Sequence, residues 1–449
     1  MFFFRIRPHG LYASVYVLAY VLSFFTLTHL LYAQTPSADL TDLESLIKEA
    51  LNNNRDLAGV KAQWEAAKSR IPQSSALPNP TAGIAVMGRM LETPLGPQED
   101  IYEFEQMIPF PGKLLEKRKM ASAEAKAMEA RYKTKEREII FEVSQNYYDL
   151  FAVNLTLQTL EEVRGLLRKF ESTAQTRYAS QAGSQRDVAK AQAEVSEALE
   201  RTFILRQQKN TLEALLSSLL NRKSYFSFDN IPQPNIPTLS ATLEELLELA
   251  QIHRPELKEA SFLVDKEQHA AKLAKLEYIP DISVGLEYSQ IGKGTTTNPN
   301  DGRDAWMIPI KVTIPLWQNR LIPQIREAKR NLEATEAALE QTTNTSVYEV
   351  KDAYYRFTTA KQIVELYDNA LLPETQLAFR SDQAGYEAGN TDILNLIDSE
   401  RVYLNAKIAY YQALADTLKN FAKLEQSVGI SLASQNLAPQ NLAPQGEKK

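Results

Sequence analysis

The stretch VSQNYYDLFAVNLTLQTLEEVRGLLRKFESTA, residues 143–174, decides the fold of this chain. Its apolar positions recur every three or four residues, and the same spacing resumes between Ala191 and Leu219. No proline occurs from Gly112 to Ile231. A period of about 3.5 residues over such a length predicts helices that pack along other helices. At about 1.5 Å per residue, a helix over Lys113–Tyr178 would be roughly 100 Å long, which indicates a rod rather than a compact domain.

The chain repeats itself at a distance of about 200 residues. Residues 43–57 (LESLIKEALNNNRDL) match residues 243–257 (LEELLELAQIHRPEL) at an offset of 200. Ile108-Pro109, Tyr147-Tyr148 and Gly183 recur as Ile314-Pro315, Tyr354-Tyr355 and Gly389, at offsets of 206 or 207. Solenoid repeats are only about 20–50 residues long, so this period indicates a duplicated half. Each half is predicted to contain a short helix, two strands, a long helix, a break and another helix.

The repeat divides the chain into five parts. The first is predicted to be a signal peptide, because two arginines precede an apolar run and Leu31-Tyr32-Ala33 resembles a cleavage site; an uncleaved anchor is the alternative. The last contains NLAPQ twice in tandem and is predicted to be disordered. The parts are the signal peptide (1–33), the first repeat (34–230), a proline-rich linker (231–238), the second repeat (239–429) and the tail (430–449).

The predicted helix lengths indicate how the helices pack. Helices over Thr41–Leu77 and Ser184–Arg222 are each a little over half as long as the one over Lys113–Tyr178. Laid end to end they match the long helix, so all of them could form one cylinder. The second long helix, Asn319–Tyr386, contains Pro373 and is predicted to kink there, because proline removes a backbone donor.

Four segments alternate apolar and polar residues: 81–90, 101–108, 282–288 and 306–314. Alternating segments of about ten residues with aromatic side chains near their ends are typical of transmembrane β-strands, although a half-buried soluble hairpin gives the same alternation. Four strands cannot close a barrel, and an open edge is not tolerated in lipid, so three chains would have to supply a twelve-stranded barrel. Charged side chains on these strands are predicted to face the lumen, because a charge facing lipid costs about 2–4 kcal/mol. They are Glu103, Glu105, Glu287 and Lys311.

The composition excludes several classes of function. The net charge is −6 and charges of both signs alternate along the helices, which gives no basis for nucleic-acid binding. There is no cysteine, and only His253 and His269 lie beyond the signal peptide, without metal-ligand spacing. No glycine-rich phosphate loop is present. The sequence therefore predicts neither an enzyme, nor a cofactor, nor a metal site.

At several places the chain resembles outer-membrane efflux channels of the TolC type. The resemblance rests on the duplicated plan, the paired tyrosines, EFEQMIPFPGKLLEKRK at 103–119 and YEAGNTDILNLID at 386–398. It implies a homotrimer in the outer membrane of a Gram-negative type cell, with a lipid-embedded barrel and a long helical tunnel in the periplasm. It also implies a passive duct that works with a periplasmic adaptor and an inner-membrane pump of the RND type. The FPGK segment is most similar to the branch that exports heavy-metal cations.

The same resemblance implies a set of site residues at the periplasmic end. In the family, two aspartates six and nine positions after the last tip glycine ring the aperture; the corresponding residues here are Asn395 and Asp398. Asp392 is a candidate to replace the missing aspartate, or it simply caps a helix, and Asp398 could be an ordinary solvated charge. Tyr386 and Asp187 are candidate partners in closing the tip. The adaptor is expected to dock on the tip turns, formed by Gly183, Ser184, Gly389 and Asn390.

One alternative to a channel is a periplasmic coiled-coil adaptor, which would share the helical hairpins. An adaptor should lack the two pairs of alternating strands with aromatic ends. The sequence does not identify the cargo, because a wide duct lined by generic polar groups has little selectivity.

Overall fold

The computed structural model describes residues 42–223, 227–228, 231–295 and 297–432. The predicted signal peptide, 1–33, and residues 433–449 of the predicted tail lie outside these ranges. Ile430 and Leu432, at the start of that tail, pack against the cluster that contains Leu246 and Val428. The packed structure therefore extends past the predicted boundary at residue 429.

Both halves have the same order of elements, which confirms the internal duplication. The first half consists of α1 (Leu43–Asn53), α2 (Arg55–Ser74), β1 (Thr81–Thr93), β2 (Gly96–Ile108), α3 (Pro111–Ala179) and α4 (Gln185–Leu219). The second consists of α5 (Leu243–His253), α6 (Pro255–Leu276), β3 (Asp281–Ile291), β4 (Ala305–Met307), β5 (Ile310–Thr313), α7 (Gln318–Leu366), a π-helical segment (Tyr367–Leu371), α8 (Leu372–Glu387) and α9 (Ile393–Val428). The tyrosine pairs at 147–148 and 354–355 even have the same edge-to-face geometry, with ring centroids 5.7 Å apart in each.

The single helix predicted over Thr41–Leu77 is wrong, because the chain breaks at Asn54. This residue is extended (φ −63°, ψ 126°), and its side chain accepts hydrogen bonds from the backbone N–H groups of Asp56 and Leu57. Asparagine is a strong N-cap because its side chain satisfies donors that the first helical turn leaves free. The equivalent break in the second half lies at Arg254, which precedes Pro255 at the start of α6.

The short helices meet end to end along the long ones, as predicted. The side chain of Asn54 donates to the carbonyl of Leu219 at 3.1 Å, so the start of α2 meets the end of α4 beside α3. Arg222 fixes the same junction by two hydrogen bonds to the carboxylate of Glu49, at 2.7 and 2.6 Å. In the second half, the end of α9 at Gly429 lies against the backbone of Arg254.

The sequence predicts a kink at Pro373 in the second long helix. The structure instead interrupts this helix just before the proline, at residues Tyr367–Leu371. In the π-helical segment, the N–H of Leu372 bonds to the carbonyl of Tyr367, five residues earlier. Pro373 follows in the first turn of α8. Because proline has no N–H to donate to the carbonyl four residues back, a wider turn at this point removes the conflict.

The strands form one antiparallel sheet in the order β1-β2-β3, with β4 and β5 both paired to β3. The predicted continuous strand 306–314 is wrong, because it is divided at Ile308-Pro309 into β4 and β5. Proline cannot donate to the ladder, and only its carbonyl takes part, accepting from Gly285 at 2.9 Å. Within the described part of the chain, no helix is both long and apolar enough to cross a membrane.

Lys113 connects the helices to the sheet. Its ammonium group is 2.9 Å from each carboxylate oxygen of Asp281, the first residue of β3, and 3.8 Å from Glu277 at the end of α6. The backbone N–H of Phe110 donates to the same Asp281 carboxylate at 2.8 Å. The Lys113 side chain is only 4% exposed, so this ion pair is shielded from water and fixes how the sheet leaves the helices.

The end-to-end contact in the second half can be tested at Gly429. This residue is left-handed (φ 87°), and an added Cβ would lie 2.9 Å from the Arg254 Cα. We expect Gly429→Ala to cost about 1–2 kcal/mol from the backbone alone and to lower the thermal midpoint measured by far-ultraviolet circular dichroism. The control is Gly59→Ala in α2, where an added Cβ meets nothing within 4 Å and should stabilise the helix by about 0.5–1 kcal/mol. Because the clash with Arg254 adds to the backbone cost, a loss no larger than about 1–2 kcal/mol would contradict the contact.

Candidate functional site

The two turns at the end of the helical hairpins lie side by side. One joins α3 to α4 through Gly183 and Ser184, and the other joins α8 to α9 through Gly389 and Asn390. The four helices pack through one apolar cluster that includes Phe170, Ala191, Phe379 and Leu396. Because this cluster runs up to the turns, it holds both of them at one end of the molecule.

Each turn is built by local hydrogen bonds. Ser184 caps α4, and Asp187 completes a capping box by accepting the N–H of Ser184 at 3.0 Å. Gly389 adopts a left-handed conformation (φ 81°), which lets the N–H of Asn390 bond to the carbonyl of Gly385 at 2.8 Å. The backbone of each turn is therefore held by its own hydrogen bonds, and Gly183, Ser184, Gly389 and Asn390 present short side chains at the tip.

Arg177 links the two turns, and sequence reasoning missed it. Its guanidinium group lies 4.3 Å from the ring centroid of Tyr386 and donates a hydrogen bond to the carbonyl of that residue. Phe170 packs edge-on against the same ring at 6.4 Å. A basic residue in the last turn of α3, opposite the predicted Tyr386, is the sequence signal that could have identified it.

Three of the predicted aperture residues come together around this contact. Tyr386 is buried, and burial is the main cause that raises the pKa of its hydroxyl. The charge of Arg177 lowers that pKa, while Asp187 and Asp392 both raise it. The two carboxylates therefore lie within electrostatic range of the tyrosine, on either side of the gap between the hairpins.

The remaining two predicted aperture residues, Asn395 and Asp398, lie along one side of α9 together with Asp392. Asp392, Asn395 and Asp398 are exposed at intervals of three residues, whereas Ile393, Leu396 and Ile397 between them are buried. Residues three apart share a helix face, so the three polar residues form a single stripe, the α9 polar stripe. Asp392 occupies the N-cap position of α9, but its side chain makes no capping hydrogen bond within the described residues. Its carboxylate therefore remains available to other groups.

The four charged strand residues lie on one face of the sheet. Glu103 pairs directly with Glu287 in the register of β2 and β3, and the ammonium of Lys311 lies 2.6 Å from the Glu105 carboxylate. The opposite face is apolar and exposed; it carries Ile84, Tyr102, Phe104, Leu286, Tyr288, Trp306 and Ile310. The sheet is therefore strongly two-sided, with charges on one side and large apolar side chains on the other.

The described part of the chain offers charged groups rather than a metal site. Among the described residues, no group of three or more His, Cys, Asp or Glu side chains is placed to hold a metal ion. His269 bonds to the carboxylate of Glu116 at 2.6 Å and joins α6 to α3 near the sheet. Such an arrangement can guide ions by their charge.

We expect Arg177→Ala to loosen the tip. The variant loses a cation–π contact and a charge-assisted hydrogen bond, which together should cost about 1–2 kcal/mol of local stability. Hydrogen exchange of amides around residues 177–187 and 385–392 should accelerate accordingly. Arg168→Ala, at an exposed position nine residues earlier on α3, is the control and should leave these rates unchanged. Identical exchange in the two variants would show that Arg177 does not join the turns.

Comparisons with known proteins agree with this architecture. The sequence profile of the family described as outer membrane efflux protein matches residues 46–222 and 246–430. The chain is 20% identical to the cobalt-zinc-cadmium resistance protein CzcC of Cupriavidus metallidurans, over 86% of this chain and 90% of that one. Its fold is similar to the outer-membrane channel OprN, with TM-score 0.74 and 18% identity over 87% of this chain and 90% of that one. It is also similar to CusC, with TM-score 0.74 and 17% identity over 86% and 92%.

The profile matches each half of the duplication separately and leaves out residues 1–45, 223–245 and 431–449. The periplasmic adaptor that the hairpins alone would permit is therefore not favoured. Members of this family act as passive ducts together with periplasmic adaptors and inner-membrane pumps of the RND type. The chain belongs to the outer membrane efflux protein family, and it is an outer-membrane channel of a tripartite efflux system whose helical tunnel lies in the periplasm.

Proposed function

We propose that three copies of this chain close their sheets into one twelve-stranded barrel and form a duct for metal cations. The observation that carries the proposal is the two-sided sheet with β1 at one edge and β4 and β5 at the other. Backbone groups at a free edge cannot be satisfied in hydrocarbon, so each edge needs the opposite edge of another copy. The exposed apolar face then meets lipid, and Glu103, Glu105, Glu287 and Lys311 face the lumen.

At the periplasmic end, threefold symmetry would repeat the α9 polar stripe around one axis. Three copies of Asp398 and three of Asp392 would form two acidic rings, separated by the neutral position Asn395. Rings of carboxylates raise the local negative potential and favour the entry of cations. Tyr386 and Asp187, together with Arg177, would hold the two hairpins of each chain closed.

The tip turns are the proposed docking surface for the periplasmic adaptor. Gly183, Ser184, Gly389 and Asn390 present mainly backbone and short polar side chains. Because both turns lie at the same end, one adaptor hairpin could contact the two together. The pump in the inner membrane, of the RND type, would then deliver cargo through the adaptor into the tunnel.

The cargo proposal rests on charge and on one relative. CzcC is described as a cobalt-zinc-cadmium resistance protein, and it is similar to this chain over nearly its whole length. The two aspartates of the α9 polar stripe and the excess of glutamates on the charged face of the sheet would both attract cations. A duct of this kind attracts cations without coordinating them.

Asp398 provides the sharpest test of the aperture. We expect Asp398→Asn to keep the trimer and to weaken both cation preference and block by multivalent cations in planar bilayers. The substitution is nearly isosteric at an exposed site, so stability should change by no more than about 0.5 kcal/mol. The matched variant is Asn395→Asp, which adds a carboxylate to the same stripe and should strengthen both properties.

The mass of each variant is measured by light scattering alongside these recordings, to show whether the trimer is kept. Unchanged selectivity and block in both variants would remove the α9 polar stripe from the lumen. Loss of the trimer in Asp398→Asn would show that this residue is structural.

The orientation of the sheet can be tested with neighbouring cysteines. The native chain has no cysteine, so single substitutions give a clean background. We expect Glu287→Cys to react with a charged, water-soluble thiol reagent in liposomes, whereas Leu286→Cys, on the opposite face, should be shielded by lipid. Equal labelling would mean that the two faces do not separate water from lipid.

A further inference from the structure

On its buried side, α9 carries a carboxyl group that the proposed function does not use. Glu400 lies two residues beyond Asp398, and only 3% of its surface is exposed. Among the residues that the structure describes, none donates a hydrogen bond to its Oε1. A buried carboxylate oxygen without a donor is costly, because it has lost its hydration and gained nothing in return.

The surroundings of Glu400 give it little support from positive charge. It borders a cavity of about 20 Å³ between α3, α4 and α9. The α3 side of this cavity is apolar, formed by Leu160, Val163 and Leu167. The α4 side carries Glu194, Glu197 and Arg201, and α9 adds Arg401. The cavity has room for about one water molecule, so it cannot hold the hydration shell of an ionised carboxylate.

The neighbouring cations are already bound to other carboxylates. Arg401 and Lys190 both contact Glu194, the latter at 2.8 Å. Arg201 is paired with Glu197 at 2.7 Å. Glu194 is itself buried, at 6% exposure, and its negative charge faces the same cavity. An ionised Glu400 would therefore add a second buried negative charge beside the first.

We propose that Glu400 is a proton-binding site inside the packing of α3, α4 and α9, and that its proton holds α9 against the other two helices beside the aperture. The neutral carboxyl group removes the repulsion with Glu194 and can lie against the apolar α3 side of the cavity. When the proton leaves, the charge can be hydrated only if the helices separate. Because Asp398 lies on the opposite side of the same turn of α9, such a separation would move the α9 polar stripe.

The expected pH dependence follows from the direction of the shift. Burial, and then the charge of Glu194, raise the pKa of Glu400 to about 7, although Arg401 and Arg201 oppose them. The pKa of an exposed glutamate is about 4.3. Between these two values the packed state binds a proton that the opened state has released, so packing weakens as the pH rises and levels off above about 7.

Hydrogen exchange on the purified full-length protein tests this. After correction for intrinsic exchange rates, opening of amides in 393–404 should increase more than roughly tenfold between pH 5 and pH 7 in the wild type. Glu400→Gln, which is permanently neutral, should abolish the increase. Glu200→Gln, which alters an exposed carboxyl group of α4 away from the cavity, is the control and should retain it.

Infrared difference spectra supply a second measurement, which reports the protonation of the carboxyl group directly and does not depend on amide exchange. Between pH 5.5 and 8.5 the wild type should lose a carbonyl band of a protonated carboxylic acid, and this band should be missing in Glu400→Gln. The inference is overturned if exchange of wild-type α9 is independent of pH after correction, or if Glu400→Gln retains both the pH dependence and the band. Neither measurement depends on conductance, so failure here is distinguishable from failure of the proposed function.

Discussion

The fold depends on covering each long helix with two shorter ones that meet end to end. Along α3, the meeting point is the hydrogen bond from Asn54 to the carbonyl of Leu219, reinforced by the Arg222–Glu49 ion pair. In the second half the junction brings Gly429 against Arg254. Each junction joins helix ends that would otherwise expose unsatisfied backbone groups. Length matching therefore fixes where every hairpin stops, and with it the position of the tip.

The sheet is tied to this helical frame at one buried point. Lys113 lies in the first turn of α3, and its partner Asp281 begins β3, so the ion pair sets the direction in which the strands leave the helices. Since Lys113 is almost fully buried, removing Asp281 would leave its ammonium group with the longer contact to Glu277, at 3.8 Å. The charged face and the apolar face of the sheet are thus held in a defined orientation relative to the helical axis.

Sequence periodicity predicted most of the frame, because long amphipathic helices and alternating strands leave repeating patterns. It failed where one residue interrupts a pattern: Asn54 breaks a helix by capping the next one, and Pro309 divides a strand. At the tip, the family resemblance pointed to Asn395 and Asp398, with Asp392 as a candidate to replace the missing aspartate. It missed Arg177 and Glu400, because their roles depend on contacts across some 200 residues of chain. For Arg177 the basic residue in the last turn of α3 was a signal, but its partner Tyr386 lies in the other half.

The two halves differ mechanically at one place. α3 continues without interruption to Ala179, whereas the corresponding path through α7 and α8 contains the π-helical segment Tyr367–Leu371. A π turn with a proline directly after it has fewer regular hydrogen bonds and resists bending less than a continuous α-helix. Each chain therefore pairs a stiff hairpin with a compliant one. In an assembly of three copies, stiff and compliant hairpins would alternate around the axis. A force applied at the tip would then bend the three compliant hairpins before the three stiff ones.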